Sequence, residues 1–405
     1  MIKKFIHTSD WHIGRKLRDF ERYEEFRKFF RWLEDLINAE NIDALLVSGD
    51  IFDNTTPSVK AQEIYYSFLA KISQSHCRHV IIISGNHDSP AFLDAPSELL
   101  NLINIQVIGT ACENSKDEII TLYDIDKNPE MIVCAVPYLR DRDVRTLGSG
   151  DSYENIDRDL INGINFHYAK VFDEAKILSD KNKNIPVVAM GHLFTHGGIT
   201  KPDDGVRSLY VGTSIEIQSE IFPEFLTYTA LGHLHSAQKI KRENIRYSGS
   251  PIQMDFGEAG QQKSVYIIEL DGKNLINIRD VKIPIFKRLE RISGDFNELC
   301  AEIQTFQNES VWLDVTYTGE ETIGNLYDRI KDFVKAFNNV EILSIRDNKN
   351  ASESDEINNQ AKSIDDITPL GMLDLFFDEK KIADDKREIF AKMYEEILLK
   401  AEIEE

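Results

Sequence analysis

The chain lacks long apolar runs and has few cysteines. No stretch approaches the roughly 18 to 20 consecutive apolar residues that a membrane span needs. The apolar run at the N-terminus is too short for a signal peptide, so we expect a cytoplasmic protein that begins at Met1 and does not enter a membrane. Its 405 residues include only 4 cysteines, none in a CxxC pair: Cys77, Cys112, Cys134 and Cys300. This spacing excludes a zinc knuckle and a disulfide framework and favours reduced, mostly buried thiols.

Positive charge is also scarce. There are 47 lysines and arginines against 69 aspartates and glutamates, and the formal net charge is −22. Residues 348–405 hold 16 of those acids and 8 of those bases, so the acidity is not confined to the C-terminal end. Because nucleic-acid-binding domains are commonly basic, a DNA substrate would need local basic patches, metal ions or a partner protein for contact.

Five short apolar, β-branched runs each end in a turn that carries His, Asp or Asn. Such runs are typical of strands buried on both faces. Helical stripes at 26–37 and 64–72 separate the first three runs, which indicates βαβ architecture with a largely parallel sheet. The five runs are Lys4–Thr8, Asp43–Val47, His79–Ile83, Ile185–Met190 and Leu226–Leu231.

The pattern becomes strand-rich after residue 205. We therefore predict an α/β fold in which a second sheet packs on the first and helices lie outside. The strands that we assign to this second sheet are Arg207–Gly212, Gln238–Ser248, Ser264–Asp271 and Leu275–Ile283.

The chain divides into four predicted parts. Residues 1–283 form the catalytic domain, and 284–347 form a small α+β module that alternates strand, helix, strand, helix and strand. Residues 348–366 are polar, as in a linker. Two helices follow in 367–405, and the second has an apolar stripe made of Ile389, Phe390, Met393, Tyr394, Ile397 and Leu398.

The strand ends carry a set of metal-ligating side chains. In open α/β sheets, functional groups gather beyond the carboxyl ends of the strands. One Gly-His or Gly-Asp pair usually marks an ordinary loop, but five such elements in this order indicate a site for two metal ions. Carboxylate, imidazole and amide ligands together suit manganese, iron or zinc. The side chains are Asp10, His12, Asp50, Asn86, His87, His192, His233 and His235.

These motifs, DxH, GDxxD, GNHD, GH and GHxH, resemble those of the calcineurin-like metallophosphoesterase superfamily over roughly residues 1–270. The closer resemblance is to the SbcD family of nuclease subunits, and it implies a two-sheet metallophosphoesterase sandwich flanked by helices. The module at 285–347 resembles the capping domain of that family. The phrases that carry the closer resemblance are 7–12, 49–53, 85–89, 230–235 and 247–252.

The resemblance implies a role for each candidate residue. It assigns one ion to Asp10, His12, Asp50 and His235, and the other to Asp50, Asn86, His192 and His233, with Asp50 bridging. The ions are divalent, with Mn²⁺ favoured and Mg²⁺, Fe or Zn²⁺ open. His87 and Asp53 are the candidate catalytic residues: His87 acts on a phosphate oxygen and Asp53 orients His87. Two alternatives stay open, since His87 could be a ligand and Asp53 could only shape the turn.

The resemblance further implies a DNA nuclease, an exonuclease on duplex ends and an endonuclease on hairpin or single-stranded DNA. Its partner would be an SbcC-type ATPase with a coiled coil, in a heterotetramer that contains a homodimer of this chain. The apolar stripe would dock on that ATPase, or else fold back on its own chain. The alternatives are a metal-dependent phosphatase or phosphodiesterase acting on proteins or small molecules, and a scaffold with a relic site.

Basic residues that follow the first motif and basic residues that follow a predicted strand are candidate phosphate contacts, with an ordinary solvated surface as the alternative. They are Arg15, Lys16, Arg18, Arg140, Arg142 and Arg145.

Overall fold

The computed structural model describes residues 2–144, 153–183, 185–199, 215–320 and 325–347, with five positions further on: Leu373, Phe376, Phe377, Arg387 and Phe390. No helix among these described residues is both long enough and apolar enough to cross a membrane.

The described strands are short and mostly buried. In chain order they are β1 (Lys4–Thr8), β2 (Lys16–Leu17), β3 (Phe20–Glu21), β4 (Ala44–Ser48), β5 (His79–Ile83), β6 (Ile105–Ile108), β7 (Ile119–Tyr123), β8 (Pro129–Ala135), β9 (Val187–His192), β10 (Tyr228–Gly232), β11 (Gln238–Ile240), β12 (Arg242–Tyr247), β13 (Ser264–Asp271), β14 (Asn274–Lys282), β15 (Arg288–Gly294), β16 (Val311–Tyr317) and β17 (Val340–Asp347).

Helices lie between many of the strands. Those in the described residues are α1 (Tyr23–Glu40), α2 (Val59–Ile72), α3 (Pro90–Asp94), α4 (Ser97–Asn101), α5 (Asp141–Val144), α6 (Tyr153–Lys181), α7 (Phe296–Thr305) and α8 (Leu326–Val334). The predicted stripes of α1 and α2 are confirmed, because Phe26, Phe29, Tyr65 and Phe68 are all buried against the first sheet.

Two six-stranded sheets form the main body. The first has the order β14-β13-β1-β4-β5-β6 and the second has the order β11-β12-β10-β9-β8-β7. Apolar side chains from both sheets, such as Leu46, Ile81, Val133 and Met190, interdigitate in one core layer. Helices α1 and α2 cover the outer face of the first sheet, and α6 covers the outer face of the second. The predicted two-sheet sandwich flanked by helices is confirmed.

The assignment of strands to sheets differs from the prediction in two places. β9 and β10 pair in parallel with each other in the second sheet, whereas β13 joins the first sheet by pairing antiparallel with β1. β14 then forms the edge beside β13. The prediction was wrong here because apolar alternation reveals that a strand is buried but not which neighbour it pairs with. The expected strand Arg207–Gly212 lies outside the described residues.

A third sheet follows with the predicted order of elements. β15, β16 and β17 are parallel, with α7 and α8 as their crossovers. Asp295 caps α7 and forms a capping box with Glu298, which explains where this helix begins. The domain limits at 283/284, 347/348 and 366/367 remain predictions. The linker lies outside the described residues, and so does most of 367–405, where the ring of Phe377 is buried and lies 6.2 Å from that of Phe390.

Candidate metal centre

The carboxyl ends of five strands bring the predicted ligands together at one edge of the sandwich. β1 leads to Asp10 and His12, β4 to Asp50 and β5 to Asn86, while β9 ends at His192. β10 leads to His233 and His235. All of these side chains are buried except that of Asn86, which is partly exposed. Removing these seven polar groups from water costs free energy unless partners compensate for the lost hydration.

One part of the cluster surrounds His12. Its Nε2 lies 3.2 Å from Nε2 of His235 and 3.4 Å from Oδ2 of Asp50. A ligand atom of Asp10 joins those of His12 and His235 within 4.8 Å of one another. Two imidazole nitrogens facing each other beside carboxylates form a donor set that fits a divalent cation. This set agrees with the first predicted ion site.

The other part surrounds His192. Its Nε2 lies 3.0 Å from Oδ1 of Asn86 and 3.3 Å from Oδ2 of Asp50. Nδ1 of His192 donates to the backbone carbonyl of Ser48 at 2.9 Å, which turns Nε2 towards the cluster. The ring centroid of His233 lies 5.5 Å from that of His192. Because Oδ2 of Asp50 contacts both His12 and His192, it stands where a bridging ligand would.

The backbone around these side chains is strained. Asp10, His12 and Asp50 have φ angles of 51°, 47° and 50°, and His233 has 105°. Positive φ is uncommon for residues other than glycine, and it concentrates at functional sites because it costs free energy. Gly232 permits the close approach of two strands, since a Cβ there would lie 1.8 Å from the carbonyl oxygen of Ser48.

The electrostatics of the cluster also fit bound cations. Burial raises the pKa of Asp10 to about 6. Burial alone would lower the pKa of His192, but the carboxylates of Asp50 and Asp10 raise it to about 9. Within the described residues, neither Asp10 nor Asp50 forms an ion pair with a lysine or an arginine. Buried carboxylates without such partners are typical of metal sites.

The ring of His87 is oriented by the main chain. Its Nδ1 donates to the backbone carbonyl of Asp53 at 3.0 Å, and its backbone N–H donates to Oδ1 of Asp50 at 2.9 Å. The carboxylate of Asp53 accepts from Arg15 at 3.2 Å and lies 3.5 Å from Nδ1 of His12. A ligand atom of His87 also lies within 4.8 Å of those of His12 and Asp53, so the geometry keeps the ligand alternative for His87 open.

Asp88 caps the turn that follows β5. Its carboxylate accepts from the backbone N–H groups of Gly85, Ile51 and Phe52 at 2.8 to 3.0 Å. These bonds connect the loop after β4 to the loop after β5. Burial and the nearby Asp50 raise the pKa of Asp88 to about 7.

Two residues that support the ligands, Glu258 and Ser248, were not among the predicted site residues. Oε1 of Glu258 accepts from Nδ1 of His235 at 3.2 Å, and Oε2 pairs with Nζ of Lys263 at 2.6 Å. The hydroxyl of Ser248 lies 2.7 Å from that of Ser9, which donates to Asp10. The phrase at 247–252 pointed towards Ser248, but no motif spacing marked Glu258.

The basic residues near the motifs have different environments. Arg15 is buried and bonds to Asp53, and Arg140 donates to the backbone carbonyl of Asp88 at 3.1 Å. Both therefore lie beside the cluster and help to hold its loops. Arg145 lies outside the described residues.

The two-sheet fold and this donor set define a metal-dependent phosphoesterase. Residues 3–237 match the model of the calcineurin-like phosphoesterase family, and the chain belongs to that family. Residues 285–381 match a second family, described as the type 5 capsule protein repressor C-terminal domain. The predicted α/β sandwich fold and the predicted class of enzyme, a metal-dependent phosphoesterase, are thus confirmed.

Proteins similar to this chain include subunits of a nuclease. The chain is 29% identical over 371 residues to the D subunit of nuclease SbcCD from Escherichia coli (strain K12), with 90% of each chain covered. It is 32% identical over 275 residues to the D subunit of nuclease SbcCD from Rhodobacter capsulatus, covering 66% of this chain and 67% of that protein. Among solved structures, a dimetal phosphatase from Danio rerio aligns with a TM-score of 0.41 and 12% identity, covering 70% of this chain and 99% of that one.

Proposed function

We propose that this chain is a metal-dependent DNA nuclease, an exonuclease on duplex ends and an endonuclease on hairpin or single-stranded DNA. The observation that carries the proposal is the buried cluster around Asp50, at the strand ends of a phosphoesterase fold. The SbcCD nuclease relatives, which cover up to 90% of the chain, support DNA rather than a small ester as its substrate. The parallel module after residue 284 would lie over the bound strand.

Two groups of residues would hold a pair of divalent ions, with manganese the favoured metal. Asp10, His12, Asp50 and His235 form the first group, and Asp50, Asn86, His192 and His233 form the second. When bound, such a pair polarises a phosphate and lowers the pKa of water, which supplies the nucleophile. The glycines and strained turns bring these side chains close together, which would let both ions share Asp50.

His87 would provide the acid–base step. With Nδ1 held by the carbonyl of Asp53, the proton would move at Nε2. As the attacking oxygen bonds to phosphorus and the bond to the leaving oxygen breaks, Nε2 would donate a proton to that leaving oxygen. Asp53 would act on His12 and Arg15 through its carboxylate and on His87 through its carbonyl.

The nuclease assay that tests this proposal compares three substrates. Purified protein with Mn²⁺ should cut duplex-end, hairpin and single-stranded DNA, while metal-free protein should not. A bis(p-nitrophenyl) phosphate arm tests the small-molecule phosphodiesterase alternative, and a phosphopeptide arm tests the phosphatase alternative. Turnover of the phosphopeptide without cleavage of any DNA would reject the nuclease.

We also propose a partner for the C-terminal residues 367–405, an SbcC-type ATPase with a coiled coil, in a heterotetramer built on a dimer of this chain. The apolar stripe predicted there suits docking of a helix in a groove. Deleting 367–405 should abolish co-purification with that ATPase but preserve cleavage of single-stranded DNA. Full-strength co-purification of the truncated chain would disprove the docking role, and loss of folding would favour the alternative in which the stripe covers its own chain.

A further inference from the structure

Three arginines from separate elements converge on one buried carboxylate. Asp314 of β16 is 1% exposed and pairs with Arg18, in the turn between β2 and β3, at 3.6 Å. It also pairs with Arg291 of β15 at 3.5 Å and accepts a hydrogen bond from Arg346 of β17. We call Arg18, Arg291 and Arg346 the arginine cluster.

The arginine cluster exposes its positive charges to solvent. The three side chains are 40% to 44% exposed, whereas the side chain of Asp314 is buried beneath them. Arg78, by contrast, pairs with both Asp43 and Glu130, so two acids face one guanidinium.

The arginine cluster lies at the junction between the two-sheet body and the third sheet. Leu17, Phe256, Leu289 and Trp312 pack together there in a small apolar core. The guanidinium of Arg18 lies 5.8 Å from the ring centroid of Phe256.

Short segments connect this junction to the metal centre. Phe256 begins the turn that carries Glu258, whose carboxylate bonds to His235. Arg15, three residues before Arg18, bonds to Asp53. Arg18, at which the arginine cluster meets the two-sheet body, therefore lies close to segments that contact His235 and Asp53.

We propose that the arginine cluster binds phosphates of the nucleic-acid strand that the metal centre cleaves. This inference rests on the proposed nuclease function and adds the residues that hold the backbone. Guanidinium groups suit this task because their planar fork matches phosphate oxygens in a bidentate manner. Asp314 holds all three forks in place before the strand arrives, which lowers the entropy lost on binding.

The proposal resolves the conflict between DNA and a net charge of −22. Phosphate contacts act locally, because salt screens charges beyond about 8 to 10 Å. A compact positive site at the rim of the centre can thus bind a strand although the rest of the chain is acidic. The competing explanation is that the three ion pairs only fasten the third sheet to the body.

Salt-dependent binding separates these explanations. Full-length protein, with Ca²⁺ in place of Mn²⁺ to limit cleavage, is titrated with a labelled duplex between roughly 50 and 200 mM salt. The variants are Arg18→Ala, Arg291→Ala and Arg346→Ala, made singly. The matched control is Arg279→Ala, since Arg279 of the edge strand β14 is 38% exposed and pairs with Glu40 of α1.

Each cluster variant should bind more weakly than wild type, and its slope of log affinity against log salt should fall by about 0.9. Arg279→Ala should keep the wild-type slope. Arg291→Lys keeps the charge, so its slope should stay near wild type while its affinity drops. Arg291→Gln, which removes the charge but keeps much of the side chain, replaces Arg291→Ala if that variant does not fold. Asp314→Asn, which removes the anion, should retain the slope.

Four results would overturn the proposal. Wild-type slopes in all cluster variants, with a lower melting temperature, would show that the ion pairs with Asp314 only attach the third sheet to the two-sheet body. An equal loss in Arg279→Ala would show a diffuse charge effect. Absence of any DNA binding by the wild type would reject the arginine cluster and weaken the nuclease function itself, whereas wild-type cleavage of DNA with unchanged slopes would reject the arginine cluster alone.

Discussion

Replacing Glu258 with glutamine should weaken metal binding through His235. Glu258 is fully buried and accepts from Nδ1 of His235, from Nζ of Lys263 and from the backbone N–H of Met254. Burial alone would raise its pKa, but Lys263 and His235 hold that pKa at about 2. Glu258 is therefore an anion at neutral pH and can only accept, so Nδ1 of His235 carries the proton and Nε2 is left to bind an ion.

Two effects of Glu258→Gln have different sizes. Loss of such an orienting carboxylate typically costs 10- to 100-fold in metal affinity, about 1.4 to 2.7 kcal/mol. Lys263 would also lose its carboxylate partner, and breaking a buried ion pair costs about 3 to 5 kcal/mol of stability. The double variant Glu258→Gln/Lys263→Met removes the unpaired cation, so it should recover stability without recovering metal affinity.

Calorimetric titration of metal-free protein with Mn²⁺ measures the affinities, and urea unfolding measures stability. Glu130→Gln is the matched control, because Glu130 of β8 is a buried acid that pairs with Arg78 at 2.7 Å. It should lose stability but keep both metal affinities. If Glu258→Gln also retained both affinities, the orienting role of Glu258 would be refuted and only a structural ion pair would remain.

Three further predictions follow from the same geometry. Asp50→Ala should reduce bound metal from about two ions per chain to none by elemental analysis, because both groups share this carboxylate; retention of one ion would mean that Asp50 does not bridge. His87→Ala should keep both ions yet lose about 10²- to 10⁴-fold in cleavage rate, and loss of an ion would reassign His87 as a ligand. His7 is buried, and burial lowers its pKa from 6.5 to about 3. As the pH falls, the unfolded chain therefore gains a proton at His7 before the folded chain does, and the free energy of unfolding decreases between about pH 6.5 and pH 3. His7→Gln should therefore reduce the slope of the unfolding free energy against pH, between pH 6 and 4, by about 1.4 kcal/mol per pH unit, measured by urea unfolding. Parallel curves for the variant and the wild type would contradict this.

Local sequence was sufficient for the candidate ligands, because a ligand set at strand ends leaves a local signature. Each motif couples a buried apolar run to a small turn, and the carboxyl ends of neighbouring parallel strands meet at one edge. Asp10, Asp50 and His192 could thus be proposed together although 182 residues of numbering separate the first from the last. The strand–helix order of the third sheet was equally readable, since each of its elements has its own apolar period.

Tertiary structure alone decided which sheet each strand joins. β13 has the same apolar character as β9, yet it pairs with β1 while β9 pairs with β10. Burial on both faces is a property of the strand, whereas its neighbour depends on chain connection and twist. The sequence therefore predicted two sheets but placed Ser264–Asp271 in the wrong one.

Supporting residues were hidden for a related reason. Glu258 lies 23 residues beyond His235, and Asp314 meets Arg18 across nearly 300 residues, so no local spacing links them. Their roles come from distances between side chains, which only the folded chain sets. The ligands themselves lie in short motifs, because the turns at the strand ends must carry them. The residues that compensate their charge can come from any segment that folds nearby, so only the three-dimensional structure identifies those residues.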